Sequence, residues 1–256
     1  MMHRRPQHMT FTEFQKHVDT FFDAAITTYG LENLWQYVCQ NNTSGSGHNY
    51  HSTRHMREVT SIAFWLLLKD FDREVFGKDK DQNHAQDEVR AMLAACMIHD
   101  MDHSLGHQDD AWNINTAIDA LVEYVKRYGD DSFGFVVHAG TGIAEIERNI
   151  RTTQFPYQAD WAPATIYQQC IRDADILYSM QDNACMAVLE NLRTEMSVTY
   201  PKYAAMSRRQ FLADRLPFIR SCEMFTPTGR SVMSYQIQSG HHERVMNAYI
   251  DNVESK

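Results

Sequence analysis

Apolar residues in this chain recur at the three-and-four spacing of helices, and no stretch alternates polar and apolar as a half-buried strand would. Val89, Met92, Leu93, Cys96 and Met97 form one such stripe, and Val59, Ile62, Ala63 and Leu66 form another. That periodicity restricts the fold to an all-α helical bundle. Thr10 and Glu13 have capping-box spacing, which predicts a helix from there to about Tyr29, closed by Gly30. A short helix through Val38 follows, then a polar loop over 41–47 and a long helix over 52–71. A charged loop over 76–85 leads to a helix over 86–100. Further helices are predicted over 109–128, 163–180, 182–196 and 207–223, whereas 129–162 is mixed in pattern. The connections are short and no repeat is visible, so one domain over 1–256 is expected.

Both stripes end in polar groups that a core tolerates poorly. The stripe over 86–100 continues onto Asp100, with His99 beside it. Stepping back by four from Val59 gives His55, and by four more His51. A carboxylate at the end of an apolar stripe is costly unless a cation or hydrogen-bond donors meet it. Two histidines four apart point the same way from a helix, a spacing that suits metal or substrate contacts. A later helix carries Asp173 and Asp175 within an apolar segment. Periodicity does not choose between them, since Ile166, Cys170, Asp173 and Leu177 share one face and Ile171, Asp175 and Tyr178 another. His241 and His242 read as an exposed pair on a polar helix, and His107 as a solvated helix-end residue.

The net charge of −9 disfavours nucleic-acid polymers as partners. It does not exclude a small phosphorylated substrate, because a bound divalent cation can dominate the field inside one cleft. The cysteines at 39, 96, 170, 185 and 222 form no CxxC pair and read as buried small hydrophobes in a reducing compartment. No apolar stretch follows the first nine residues, so no signal peptide is expected, and the apolar runs at 62–68 and 91–98 are too short to cross a bilayer. A soluble cytoplasmic protein is the expectation; the oligomeric state is left open.

The residues His48-Asn49-Tyr50-His51-Ser52-Thr53-Arg54-His55-Met56-Arg57-Glu58-Val59 resemble the YHNxxHAxxV signature of class I cyclic-nucleotide phosphodiesterases. The segment from Ala94 to Gly106, with His99-Asp100-Met101-Asp102-His103 at its centre, is similar to that family's AAxxHDxDHPG. Arg151 to Pro156 resembles an IxxTxFP element of small HD-superfamily hydrolases, and Asp173-Ala174-Asp175-Ile176-Leu177 resembles the closing ADI motif. The match spans about 48–178 and departs at Ser52, where the family has Asn, and at Ser104, where it has Pro.

The resemblance implies an HD-domain bundle that binds divalent metal ions, expected as two ions of Mn, Mg, Fe or Zn. His55, His99, Asp100 and Asp175 match the metal ligands, with Asp173 as the fallback for Asp175. Asp100 would bridge to the second ion. His51 matches the histidine that protonates the leaving oxygen, and Asp102 and His103 match residues around the metals. The implied activity is hydrolysis of a nucleotide-type phosphoester by metal-activated water, a cyclic-nucleotide-like phosphodiester first. The alternatives are a nucleotidase or (p)ppGpp-type phosphohydrolase, with Arg54, Arg57 and Arg172 for additional phosphates, and a di-iron oxygenase using His103 and His138. Phe218, Phe225, Tyr235, Gln236 and Gln238 are the candidates for base recognition.

Overall fold

Thr10 starts the first helical segment as its spacing implies, its hydroxyl accepting the Glu13 amide while the Glu13 carboxylate receives the Thr10 amide. In the computed structural model, which describes residues 8–44, 49–77, 81–135 and 139–256, the chain is all-α, with no strand among those residues. After a single turn at Phe11–Phe14 the main helices are α1 (Val18–Tyr29), α2 (Glu32–Asn41), α3 (Thr53–Asp70), α4 (Gln82–Ile98), α5 (Asp110–Tyr128) and α6 (Ala139–Arg151). They are followed by α7 (Ile166–Tyr178), α8 (Arg193–Thr199), α9 (Arg208–Ser221), α10 (Pro227–Gln238) and α11 (His241–Glu254). None of the described helices is long and apolar enough to cross a membrane.

The apolar stripes explain the packing. Helix α3 is buried along nearly its whole length, so it takes neighbours on every side: α1, α4, α7 and α10. Trp65 on α3 is fully buried and stacks on Phe14 at 4.8 Å between ring centroids, which fastens the N-terminal turn to the bundle. Helix α4 has apolar residues around most of its circumference in its second half and lies between α3 and α6.

Several expectations change in detail. Helix α4 begins at Gln82 rather than 86, because the Asp81 carboxylate caps the Asn83 and His84 amides, so the charged loop is shorter than its composition suggested. A short helix, Asp72–Phe76, precedes it. The stretch 182–196 is no single helix: a 3₁₀ turn at Asp182–Ala184 and a π-helical segment at Ala187–Leu192 lead into α8. Cys39 is exposed, whereas Cys96, Cys170 and Cys185 are buried and all are free thiols. His48 and His138 lie outside the described residues.

His242 is the clearest departure. It was expected to be solvent-exposed, but α11 turns it inward against α9 and α10, where it is 2% exposed and its Nε2 has no hydrogen-bond partner. Burial, with the positive charges of Arg215 and His241, pushes its pKa down to about 4. The unfolded chain binds this proton near pH 6.5, so between about 6.5 and 4 it holds more protons than the fold does. Stability is therefore complete above that window and falls as pH drops through it, by up to about 3 kcal/mol. Urea midpoints at pH 7 and 4.5 are expected to move less in His242→Phe than in the wild type; equal movement would overturn the assignment.

Candidate metal centre and its cleft

Three helices bring their polar ends to one point. His55 lies on the first turn of α3, where the Ser52 hydroxyl caps its amide, and His99 and Asp100 follow the end of α4. Asp175 comes from the last turn of α7, which packs along α3. Asp100 Oδ2 is 3.0 Å from His55 Nε2 and 3.1 Å from His99 Nε2, and Asp175 Oδ1 is 3.2 and 3.8 Å from the same two nitrogens. The two Nε2 atoms are 3.3 Å apart. Ligands at about 2.1 Å from one cation, at right angles to each other, sit roughly 3 Å apart. The histidines are buried and the carboxylates less so, with Asp175 27% exposed, so the cluster opens on its carboxylate side.

The hydrogen bonding tests whether a cation fits. His99 Nδ1 is 2.9 Å from the Cys96 carbonyl, which only accepts, so Nδ1 carries the proton. The neutral ring then presents an Nε2 lone pair to two carboxylates and a second imidazole. Acceptors facing acceptors in a buried site require positive charge between them. The same demand appears in the titration. Burial opposes charging His99, yet Asp100 and Asp175 hold its pKa well above the ordinary imidazole range. Burial also works against ionising Asp100, yet His99 and His51 hold its carboxyl well below the usual range. His55 Nδ1 has no hydrogen-bond partner, and Tyr178 packs perpendicular to that ring at 4.5 Å.

Asp173 points elsewhere. Fully buried, it accepts the Phe225 amide at 2.9 Å, and the Thr226 amide and hydroxyl at 2.8 and 2.7 Å, fastening α7 to the start of α10. A Cβ on Gly229 would meet its Oδ2 at 2.3 Å, which is why that helix turn carries glycine. Asp173→Ala is expected to destabilise the fold by about 3 kcal/mol, since it strands buried amides, while metal content stays near wild type. Chemical denaturation alongside metal analysis reads both; loss of metal at unchanged stability would reverse the assignment.

His51 stands beside this cluster, 5.8 Å from His55 between ring centroids. Its Nδ1 is 2.6 Å from Glu195 Oε2, and Glu195 Oε1 accepts the Tyr50 amide at 2.5 Å and the His51 amide at 3.4 Å. The carboxylate therefore holds the ring with Nε2 directed away from Glu195. Burial disfavours the charged ring, but Asp100 and Glu195 outweigh it and raise its pKa to about 9. Glu195 is absent from the sequence motifs. It is the buried acid of α8, which follows the π-helical segment; a π turn takes an extra residue and so rotates the face that the next helix presents.

His103 stacks on His51 at 3.8 Å with the planes 22° apart. Its Nδ1 accepts the Leu105 amide at 3.0 Å, and its Nε2 meets Asn113 Nδ2 at 2.9 Å. Burial, together with the charge on His51, pushes its pKa down to about 3, so it stays neutral beside its charged neighbour. His51, His103 and Glu195 offer ligand atoms close enough together for an ion, but Glu195 already meets His51 Nδ1 and the Leu105 amide already occupies His103 Nδ1. Asp102 has φ 58°, and its carboxylate takes the Thr43 amide and hydroxyl, both at 2.7 Å. It ties the turn that follows Asp100 to the end of α2. Farther along that turn Gly106 has φ 88°, and a Cβ there would meet the Glu195 carbonyl at 2.3 Å, so glycine permits the turn and α8 to touch.

A cleft adjoins His51 and His103, with cavities of about 650 and 430 Å³ that share Asp110, Phe155, Met196 and Tyr200. Asp110 begins α5 and accepts the Phe155 amide at 2.5 Å; burial pushes its carboxyl up to about 6. Phe155 and Tyr200 are exposed at the rim, and Phe155 meets Phe218 edge to face at 5.5 Å. Of the base-recognition candidates, only Phe218 lines this cleft. Tyr235 and Gln236 line a separate pocket with Thr10 and Trp65, and Phe225 packs near Arg172. Neither Gln238 nor His107 joins the metal cluster, although His107 borders the cleft. Compared with known proteins, the chain matches no family model and no curated protein.

Proposed function

We propose that this protein is a metal-dependent phosphohydrolase of the HD-superfamily kind, cleaving a phosphoester bond of a nucleotide-type substrate. The observation that carries the reading is the juxtaposition of two unlike sites: a cluster of two histidines and two carboxylates, and beside it a histidine whose Nδ1 meets a buried carboxylate at 2.6 Å. His55, His99, Asp100 and Asp175 would hold the metal, whose chemistry is to polarise a phosphoryl group and lower the pKa of water. Phosphoester cleavage also needs a proton for the departing alkoxide. His51 is suited to give it, since its Nδ1–H is committed to Glu195 and its remaining proton sits on Nε2. Asp102 and Asn113 support the reaction indirectly, the first by fastening the Asp100 turn and the second by orienting His103. The aromatic residues at the cleft rim suit a base-bearing substrate.

The oxygenase reading finds less support, because His103 Nδ1 already accepts the Leu105 amide, so in the neutral ring Nε2 carries the proton and has no lone pair for a second iron. The test is incubation with Mn²⁺ and a panel of cyclic mononucleotides, cyclic dinucleotides and linear nucleotides, followed by chromatography of products. Chelator-sensitive hydrolysis is expected; no turnover of any of them would defeat the proposal.

Glu195→Gln separates orientation from charge. It keeps the shape but withdraws the anion that supports a protonated His51, so kcat is expected to fall about 10–100-fold with metal content unchanged. The alkaline limb of the pH–rate profile should move to lower pH, because the folded enzyme then holds the His51 proton less tightly. An unmoved limb would remove Glu195 from the mechanism.

A further inference from the structure

We propose that Arg215 makes the cleft selective for substrates carrying a second phosphate besides the one that is cleaved, an inference that rests on the phosphohydrolase reading. The sequence offered three other arginines for such a role, and none of them lines the cleft. Arg54 pairs with Glu58 at 2.7 Å and Arg57 with Asp19 at 2.5 Å. Arg172 is 3% exposed, lies 3.3 Å above the Tyr157 ring and does not border the cleft.

Arg172 shares with Arg215 a buried nitrogen without a partner, but only Arg215 of the four lines the cleft. It projects from α9 into the same cavity as His51 and Asp110. Its guanidinium rests on Phe218 at 5.5 Å, and its Nε is buried with no hydrogen-bond partner. The adjacent Asp214 is already engaged by Lys202 Nζ at 3.2 Å and the Tyr203 hydroxyl at 2.9 Å. Asp110, which lines the same cavity, accepts the Phe155 amide and lies within the field of Asp100 and His51. Arg215 thus forms no ion pair among the described residues. A guanidinium presents a planar fork of donors matched to phosphate oxygens, and leaving one partly buried and unpaired is unfavourable. His51, whose ring lies 5.8 Å from that of His55, lines the same cavity as Arg215, so this cation would offer a second anion-binding position apart from the metal. A cyclic mononucleotide, with a single phosphate, engages only one of these positions.

The second phosphate can be joined as a diphosphate or sit elsewhere on the sugar, and the substrates tested distinguish these. Wild type, Arg215→Met and Arg215→Lys are compared on adenosine 5′-monophosphate, adenosine 5′-diphosphate and adenosine 3′,5′-bisphosphate. Wild type should prefer at least one doubly phosphorylated substrate over the monophosphate by kcat/KM. In Arg215→Met that preference ratio should fall at least about tenfold, the effect of losing a charge-assisted hydrogen bond, with partial recovery in Arg215→Lys. A wild-type preference for the monophosphate, or an equal loss on all three, overturns the inference and leaves the hydrolase reading standing. If wild type hydrolyses none of them, calorimetric titration of Mg²⁺-loaded protein with inorganic pyrophosphate decides separately. Binding weakened at least about tenfold in Arg215→Met upholds the anion site without the activity, and equal binding rejects it.

Discussion

Replacing Asp100 with alanine is expected to empty the metal centre and reduce turnover by more than about a thousandfold. Asp100 Oδ2 lies 3.0 and 3.1 Å from the two histidine nitrogens and is the group that touches both most closely. Removing it leaves two imidazole nitrogens 3.3 Å apart with only Asp175 to balance a cation. Changing residues that merely orient metal ligands weakens binding about 10–100-fold, so losing a ligand should exceed that. Equilibrium dialysis followed by elemental analysis reads metal occupancy directly. Thermal melts provide a second measure: a ligand at about 100 times its Kd stabilises the fold by about 2.7 kcal/mol, so Mn²⁺ should raise the wild-type Tm and leave Asp100→Ala unmoved. A variant that keeps both metal and turnover would sink the proposed site.

His51→Ala should behave in the opposite way on metal and similarly on rate. It is expected to retain full metal occupancy, because its Nδ1 is bound to Glu195 and the four cluster atoms come from other residues. Turnover should fall about 10²–10⁴-fold, the usual worth of a positioned proton donor. The loss depends on the leaving group. A nucleoside alkoxide needs the proton and should show the full effect, whereas p-nitrophenolate departs without one and should show little. The alkaline limb of the profile should also disappear, since the group that deprotonates there is gone. Equal losses on both leaving groups would return His51 to an orienting role.

How much of this was legible before folding depends on how local each determinant is. The helices around 52–71 and 109–128 follow from apolar spacing and capping residues within a few positions of their ends, and they appear at Thr53–Asp70 and Asp110–Tyr128. The stripes that turned into His55 and Asp100 were readable for the same reason: a helix fixes which residues share a face. Asp173 and Asp175 occupy different faces of α7, and each face meets a neighbouring helix. Only the position of α3 on one side and α10 on the other decides that Asp175 meets His55 while Asp173 holds the Thr226 amide.

Glu195 and Arg215 were illegible on similar grounds. Glu195 is joined to His51 across 144 positions, through a helix whose phase is altered by the π-helical segment before it. Arg215 resembles any surface arginine until its neighbours are known to be engaged elsewhere. His242 reverses the case, since its polar context suggested exposure and α11 buries it. The sequence alone determined the all-α architecture and the residues that could not be ordinary core, because helical periodicity and the penalty on buried charge act over a few residues. The tertiary structure decided which of those residues meet, and which unremarkable acid and base stand beside them, because contacts between helices depend on phase and packing that no local pattern encodes.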